Sequence, residues 1–354
     1  MKDQLIHNES DYWLKEKGPQ QHVVVSSRAR LARNLPKIPF ATHARQEELS
    51  EVYHRVDQVL QNKLPLKSYQ PVVLHETSLL TRRYLKESHI ISTEMEKGER
   101  FRLVYLSEDC HISIMVNEED HIRIQGLVAG LQIKEILNQI IAIDIELLSH
   151  MPLAFSEQFG FLTACPTNVG TGLRISVMMH LPGLVMSRKI DEVLEIIHPL
   201  GVTVRGFYGE NSEYIGDFYQ ISNEVTLGKT EEEIVELLLN VIRLIINKEE
   251  TARNQLFKNR IISIEDSIWR SFALLSQARM MDSQEAMKLL SRIRLGIDHG
   301  YFKFLDHAKL NKLIIDIQPA HLEYTKKCEA SAEARDIARA SLLRNIFNTP
   351  GSRN

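Results

Sequence analysis

The sequence predicts an α+β chain in which a mixed sheet-and-helix domain is followed by an all-α domain. Three observations carry this. Within Phe101 to Gln125, Ile112, Ile114 and Val116 alternate with His111, Ser113 and Met115. After a turn, Ile122 and Ile124 alternate with His121, Arg123 and Gln125, again the period of two that marks half-buried strands. Residues 131–148 place apolar side chains at 133, 136, 137, 140, 141, 145 and 148, the stripe of an amphipathic helix. Beyond residue 253 the pattern is almost wholly helical.

In chain order, residues 1–21 are a polar lead-in and His22 to Ser26 is strand-like. In Ser27-Arg28-Ala29-Arg30-Leu31-Ala32-Arg33-Asn34, an extended backbone points the arginines at 28 and 30 the same way. Arg45 to Leu60 and Leu79 to His89 read as helices, separated by a stretch containing Pro65 and Pro71. Phe161 to Val177 reads strand, loop, strand. Its loop, Cys165-Pro166-Thr167-Asn168-Val169-Gly170-Thr171-Gly172, has the glycines and asparagine that permit unusual backbone angles and close approach of a ligand. Asp191 to His198 is a helix, Val202 to Phe207 a strand, and a second glycine-punctuated loop runs from Gly206 to Gly216. Thr230 and Glu233 form a capping box opening a helix to about Asn247. The charged Lys248 to Arg253 then marks a boundary between residues 22–252 and a helical domain of residues 253–354. Helices at 265–281, 283–295, 307–316 and 329–347 fill that domain, with Asp282 and Glu285 a second capping box.

A length of 354 residues fits two domains, and 44% apolar with 25% charged residues is the composition of an ordinary globular protein. The net charge of −3 favours neither nucleic acid nor membrane as partner. Met1 to Glu16 lacks the apolar core of a signal peptide, and no window approaches the roughly 18 continuous apolar residues of a membrane span. Cys110, Cys165 and Cys328 are odd in number and widely spaced, which argues against a disulfide framework or a zinc site. A cytoplasmic protein is expected.

Two phosphate signatures fail on inspection. Gly228-Lys229-Thr230 resembles the end of a P-loop, but Asn223 stands where its first glycine belongs. Gly170-Thr171-Gly172 is followed at 175 by Ile175 rather than glycine, outside any βαβ unit. There remain Arg28, Arg30, Arg123, Arg174 and Arg205. Each alone reads as a surface charge; together they are suited to gripping phosphate oxygens in bidentate fashion. The acidic tip Asn117-Glu118-Glu119-Asp120 reads, alone, as a solvated turn.

In order and spacing, Asn117-Glu118-Glu119-Asp120-His121-Ile122-Arg123, the Cys165 to Arg174 segment, and Arg205-Gly206 with Glu210 resemble the catalytic core of the guanidino (phosphagen) kinases. Ser26-Ser27-Arg28-Ala29-Arg30 and Glu87-Ser88-His89-Ile90 resemble that family's nucleotide-binding segments. The resemblance covers nearly the whole chain and is closest to the bacterial protein-arginine kinase branch. It implies an antiparallel sheet flanked by helices, ATP with magnesium carried by the nucleotide, and phosphorylation of a guanidinium nitrogen.

Arginine's pKa above about 12 leaves its nitrogen no lone pair for attack until a proton leaves. The resemblance makes Glu119 the base and Glu210 a clamp on the opposite edge of the guanidinium. Cys165, as a thiolate among arginines, would help polarise the substrate; otherwise it is an inert buried thiol. ATP contacts would come from Ser26, Ser27, Arg28, Ala29, Arg30, His89 on the adenine, Arg123, and Arg174, Ile175, Ser176, Val177 and Met178. Arg205, Gly206, Phe207, Tyr208 and Gly209 complete that set. His89 otherwise reads as a helix-end histidine.

The sequence departs from the family in carrying Met115 where a tryptophan precedes the acidic tip, and in having no lid domain before its first strand, so the site is expected to be open enough for an arginine still attached to a protein. Arg335-Asp336-Ile337-Ala338-Arg339 puts two arginines on one helical face. It reads either as a solvated helix or, by resemblance, as an allosteric phosphoarginine-binding motif. The resemblance further implies a homodimer, a zinc-binding activator protein, and product marking for a Clp-type protease in the stress response. A kinase for free arginine or another small guanidino compound, and a non-catalytic phosphoarginine-binding adaptor, are the alternatives.

Overall fold

A computed structural model describes residues 17–62, 69–206 and 214–349. The chain forms two compact units: Ser26–Ser176 with Ser222–Leu239, and Val177–Ile221 with Asn240 onward and residues 17–25.

The chain opens on β1 (Val24–Arg33), then α1 (Gln46–Asn62), β2 (Gln70–Val73), α2 (Leu79–Glu87), α3 (Thr93–Glu96), β3 (Leu103–Leu106), β4 (Ile112–Val116), β5 (Ile122–Ala129) and α4 (Ile133–His150). A small ribbon of β6 (Phe155–Ser156) and β7 (Gly160–Phe161) precedes β8 (Leu173–His180), α5 (Pro182–Met186), α6 (Ile190–Ile197), β9 (Val202–Arg205) and β10 (Phe218–Asn223). The large sheet has the order β2-β3-β4-β5-β1-β8-β10-β9, and the pairs from β2 through β5 to β1 are antiparallel.

The strands expected to be half-buried are buried on both faces. On one side of β4, Met115 joins Leu74, Leu85, Ile90, Met95 and Val104 in an apolar cluster under α2 and α3. Ser113 on that face is satisfied by donating to Ile90 O at 2.9 Å. Against β5, α4 approaches so closely that a Cβ on Gly126 would lie 2.4 Å from Ile136 Cδ1, so only glycine fits.

The stripe of α4 differs from expectation. Ile145 and Leu148 are exposed, and the buried positions run Ile133, Ile136, Leu137, Ile140, Asp144 and Leu147. A carboxylate takes a core position because a buried arginine, Arg33, meets it there at 2.6 Å.

After Thr230 and Glu233, which cap each other's backbone N–H at 3.2 and 2.8 Å, α7 spans Glu231 to Gln277 as two helical segments that meet at a kink where Arg260 leaves helical geometry, φ −140° and ψ 32°. The helix expected to stop near Asn247 continues because its charged run is not solvated. Glu249 is fully buried, accepts from Gly183 N at 2.8 Å and Leu184 N at 2.9 Å, and pairs with Arg253 one turn on at 2.5 Å. Four further helices follow: α8 (Ser283–Asp298), capped by Asp282, α9 (His307–Asp316), α10 (Pro319–Lys326) and α11 (Ala332–Phe347). Among the described residues no helix is long and apolar enough to cross a membrane.

Candidate active site

The tip between β4 and β5 sorts its three acids by exposure. Asn117 takes a left-handed backbone, φ +59°, and its amide donates to Leu49 O at 2.9 Å and Phe101 O at 2.8 Å, which fixes the turn. Glu118 and Asp120 are then buried, while Glu119 has a side chain 46% exposed. Arg123 lies beneath all three: Nη1 is 2.6 Å from Glu118, and Nη2 is 3.2 Å from Glu119 and 3.8 Å from Asp120. Burial works to lower the Arg123 pKa, but the three carboxylates outweigh it and hold the pKa above the ordinary arginine value. The same Glu118 oxygen accepts from Glu119 N at 2.9 Å, so one buried carboxylate positions both the exposed acid and the arginine.

Asp120 ties the tip to the Cys165 loop. Its Oδ1 accepts from Asn34 Nδ2 and from Ala164 N, each at 2.7 Å. Neighbouring His121 accepts from Leu35 N at Nδ1, 3.0 Å, so its Nε2 carries the proton and donates to Pro39 O at 2.8 Å. Burial lowers its pKa, which matches a neutral ring. Further along the loop, Arg33 donates to Thr171 O at 2.9 Å while stacking on Phe161 at 3.6 Å, and Thr226 donates to Thr167 O and Val169 O at 2.9 and 2.7 Å. Cys165 Sγ, partly exposed, lies 3.0 Å from Thr167 Oγ1. The thiol therefore sits on a loop pinned at both ends and in the middle.

Strand register gathers the arginines. Arg28 and Arg30 on β1 pair with Leu127 and Gln125 on β5, and Ala32 pairs with Arg123, so these side chains share one sheet face. On β8, Ser176 accepts from Arg28 Nε at 3.4 Å, and Arg174 donates to Ser222 Oγ at 3.3 Å. Arg30 sits at the centre: desolvation, then the charges of Arg28, Arg123 and Arg174, push its pKa well below the arginine value, with Glu118 opposing. Crowded guanidiniums of this kind are an electrostatic demand for an anion, and a polyphosphate supplies the matching charge and oxygens. His89, φ +60°, presents its carbonyl to Gln125 Nε2 at 2.9 Å on the same face.

Other sequence-predicted positions fall elsewhere. Ser27 is fully buried and its hydroxyl donates to Gly130 O at 2.7 Å, a structural contact at the end of β5. Ile175 and Val177 alternate with Arg174 and Ser176 and are buried on the opposite face of β8. Arg205 ends β9, in the second compact unit. Phe207, Tyr208, Gly209 and Glu210 lie outside the described residues. On α11, Arg335 pairs with Glu323 at 2.8 Å, whereas Arg339 is buried and donates to Ile317 O and Met281 O at 2.9 and 2.8 Å. Among the described residues no group of three or more His, Cys, Asp or Glu side chains could hold a metal ion. Sequence reasoning missed the loop-pinning residues Arg33, Asn34, Asp144 and Thr226. The one signal for the first pair was their place in the arginine run.

Residues 48–252 match the family described as "ATP:guanido phosphotransferase, C-terminal catalytic domain", and residues 261–354 match "Protein-arginine kinase McsB C-terminal domain". A protein-arginine kinase from Bacillus cereus (strain AH187) is 42% identical over 344 residues, 97% of each chain. One from Pelotomaculum thermopropionicum is 42% identical over 347 residues, 97% of this chain and 98% of that one. Among solved structures, the duplicated taurocyamine kinase from Schistosoma mansoni has a TM-score of 0.61 at 24% identity, covering 67% of this chain and 34% of that one. Lombricine kinase has a TM-score of 0.58 at 24% identity over 66% of this chain and 68% of its own. At that identity these two show the shared fold, while the relatives that match end to end settle the family: this chain belongs to the ATP:guanido phosphotransferases, in their protein-arginine kinase branch.

Proposed function

We propose that the protein transfers the γ-phosphoryl group of ATP to a guanidinium nitrogen of arginine residues within proteins. The observation that carries this reading is the sorted hairpin tip: one exposed carboxylate, Glu119, beside a face of four arginines. Glu119 accepts the proton that blocks the substrate nitrogen, and the freed lone pair attacks the terminal phosphorus while the bond to ADP breaks. Arg28, Arg30, Arg123 and Arg174 hold the phosphates in line and balance their charge, so most of the rate comes from positioning and electrostatics. Magnesium, bound with the nucleotide, would supply further neutralisation. In this reading Cys165 and Glu210 keep the roles that the resemblance to the guanidino kinases implies, the thiol polarising the guanidinium and the carboxylate clamping its other edge.

The same reading makes the protein a cytoplasmic homodimer assisted by a zinc-binding activator, its product marking proteins for a Clp-type protease under stress. Arg335, Asp336 and Arg339 then form an allosteric phosphoarginine site. The test is incubation with ATP and either denatured protein or free arginine, followed by mass spectrometry at neutral pH for acid-labile phosphate on arginine. Modification of protein arginine, lost in Glu119→Gln with ATP binding kept, is the expected result. Phosphate on free arginine alone would refute it.

A further inference from the structure

The ribbon of β6 and β7 packs on the Cys165 loop and leaves a groove between itself and the segment entering α7. Phe161 N donates to Gly170 O at 2.8 Å and Gly170 N to Phe161 O at 3.2 Å, so the ribbon and loop form one small sheet. Gly160, φ +74°, lets them touch, since a Cβ there would lie 2.6 Å from Gly170 O. Phe155 packs edge-on to Phe161, ring centroids 5.2 Å apart, yet remains 59% exposed. Phe159 at 45% and Leu227 at 50% add to the apolar lining, and Gln158, Thr171, Lys229 and Glu231 supply its polar part.

The groove holds 250 Å³. That is below the roughly 300 Å³ at which pockets for whole small molecules begin, so it suits one large side chain rather than a nucleotide or free metabolite. Its wall is the loop that presents Cys165, and the five residue steps from Cys165 to Gly170 span no more than about 18 Å. An extended substrate chain covers the same distance in about five residues. Because Arg33 and Thr226 pin the loop, the offset between groove and thiol is fixed.

We infer that this groove is a specificity subsite for protein substrates, taking an apolar or aromatic side chain within about five residues of the target arginine. The inference rests on the protein-arginine kinase reading, and it commits to a polypeptide occupant because only an arginine with flanking chain reaches both places. Free arginine has nothing to place in the groove.

The experiment uses the full chain and single-arginine peptides whose flanks are glycine and serine, with or without one leucine or phenylalanine at successive offsets. At the favoured offset, the apolar residue should raise kcat/KM about tenfold or more, the ordinary value of filling an apolar pocket. In Phe159→Ser and Leu227→Ser, which alter exposed positions, that preference should collapse to within about twofold while KM for ATP is unchanged. Equal use of all peptides by the unaltered protein, or an undiminished preference in both variants, overturns the groove proposal alone. Phosphorylation of no peptide at all overturns the kinase reading and the groove with it.

Discussion

Asp120 is where the geometry makes its most quantitative demand. Asp120→Ala removes the acceptor for Asn34 Nδ2 and Ala164 N, two bonds of 2.7 Å to a fully buried carboxylate. Bonds to a charged acceptor are each worth about 1.5–3 kcal/mol, giving about 3–6 kcal/mol together. The substitution also deletes Oδ2, which lies 3.8 Å from Arg123 Nη2 without a hydrogen bond, and loss of that attraction offsets relief of the buried charge. The net loss expected is therefore that of the two bonds, about 3–6 kcal/mol. Asp120→Asn keeps an acceptor for both donors and loses only the charge 3.8 Å from Arg123. That attraction is about 4 kcal/mol before desolvation, and relief of the buried charge offsets most of it, leaving about 1 kcal/mol.

Catalysis should fall in the same order. Without its anchor at Ala164, the Cys165 loop moves relative to Glu119, and a displacement of about 1 Å costs about 10²-fold in kcat. ATP affinity should change less than about threefold, since Arg28, Arg30 and Arg174 are untouched. Urea unfolding, ATP titration and single-turnover phosphotransfer to a protein substrate measure the three quantities. If Asp120→Ala keeps its kcat, or if ATP affinity falls in step with kcat, then Asp120 does not act by joining the tip to the loop.

Arg30→Met should weaken ATP binding roughly 10²-fold, by loss of charge-assisted bonds, yet raise the unfolding free energy without nucleotide by about 1 kcal/mol, because one of four crowded like charges is gone; a stability loss in the nucleotide-free protein would refute the crowding. The histidine signs are fixed by burial: His121, His180, His299 and His307 all have lowered pKa values, so below the unfolded value of about 6.5 the unfolded chain binds more protons. Stability is therefore whole above about pH 6.5 and declines as pH falls toward the folded values. His121→Gln keeps a donor and an acceptor but cannot titrate, and should flatten part of that decline in denaturation curves from about pH 7.5 to about 5.5. On α11, Arg339→Ala should cost about 3–5 kcal/mol by leaving buried carbonyls without donors, while Arg335→Ala, removing one partly exposed pair, costs about 1 kcal/mol or less. Loss of any activation by phosphoarginine in Arg335→Ala, measured at unchanged stability, would assign the effector contact to Arg335.

The hairpin, the first helices and both capping boxes were legible because period and cap chemistry are local. The failures share a cause: a charged residue whose buried partner lies far along the chain. Asp144 broke the apparent stripe of α4 because Arg33, 111 residues earlier, meets it there. The charged run holding Glu249 and Arg253 reads as the place where a helix has ended near Asn247, but Gly183 and Leu184 donate to the buried Glu249 and the helix continues through it. At the site, the strand positions of Arg28 and Arg30 were readable from alternation, whereas the partition of Glu118, Glu119 and Asp120 into buried and exposed depends on Asn34 and Ala164 and was not. Strands as short as β6 and β7 give too few residues for any period to show.

An enzyme that modifies arginine and is itself built around arginines faces a problem of self-recognition. Arg123 is the protein's own guanidinium beside the proposed base, with Nη2 3.2 Å from Glu119. Its three carboxylates solve that problem: they hold both of its terminal nitrogens in ion pairs and favour the charged form, which has no lone pair with which to attack phosphorus. The acids that make the tip suitable for phosphorylating others thus make its nearest arginine immune, and Arg123 should stay unmodified in the mass spectrum of the working enzyme.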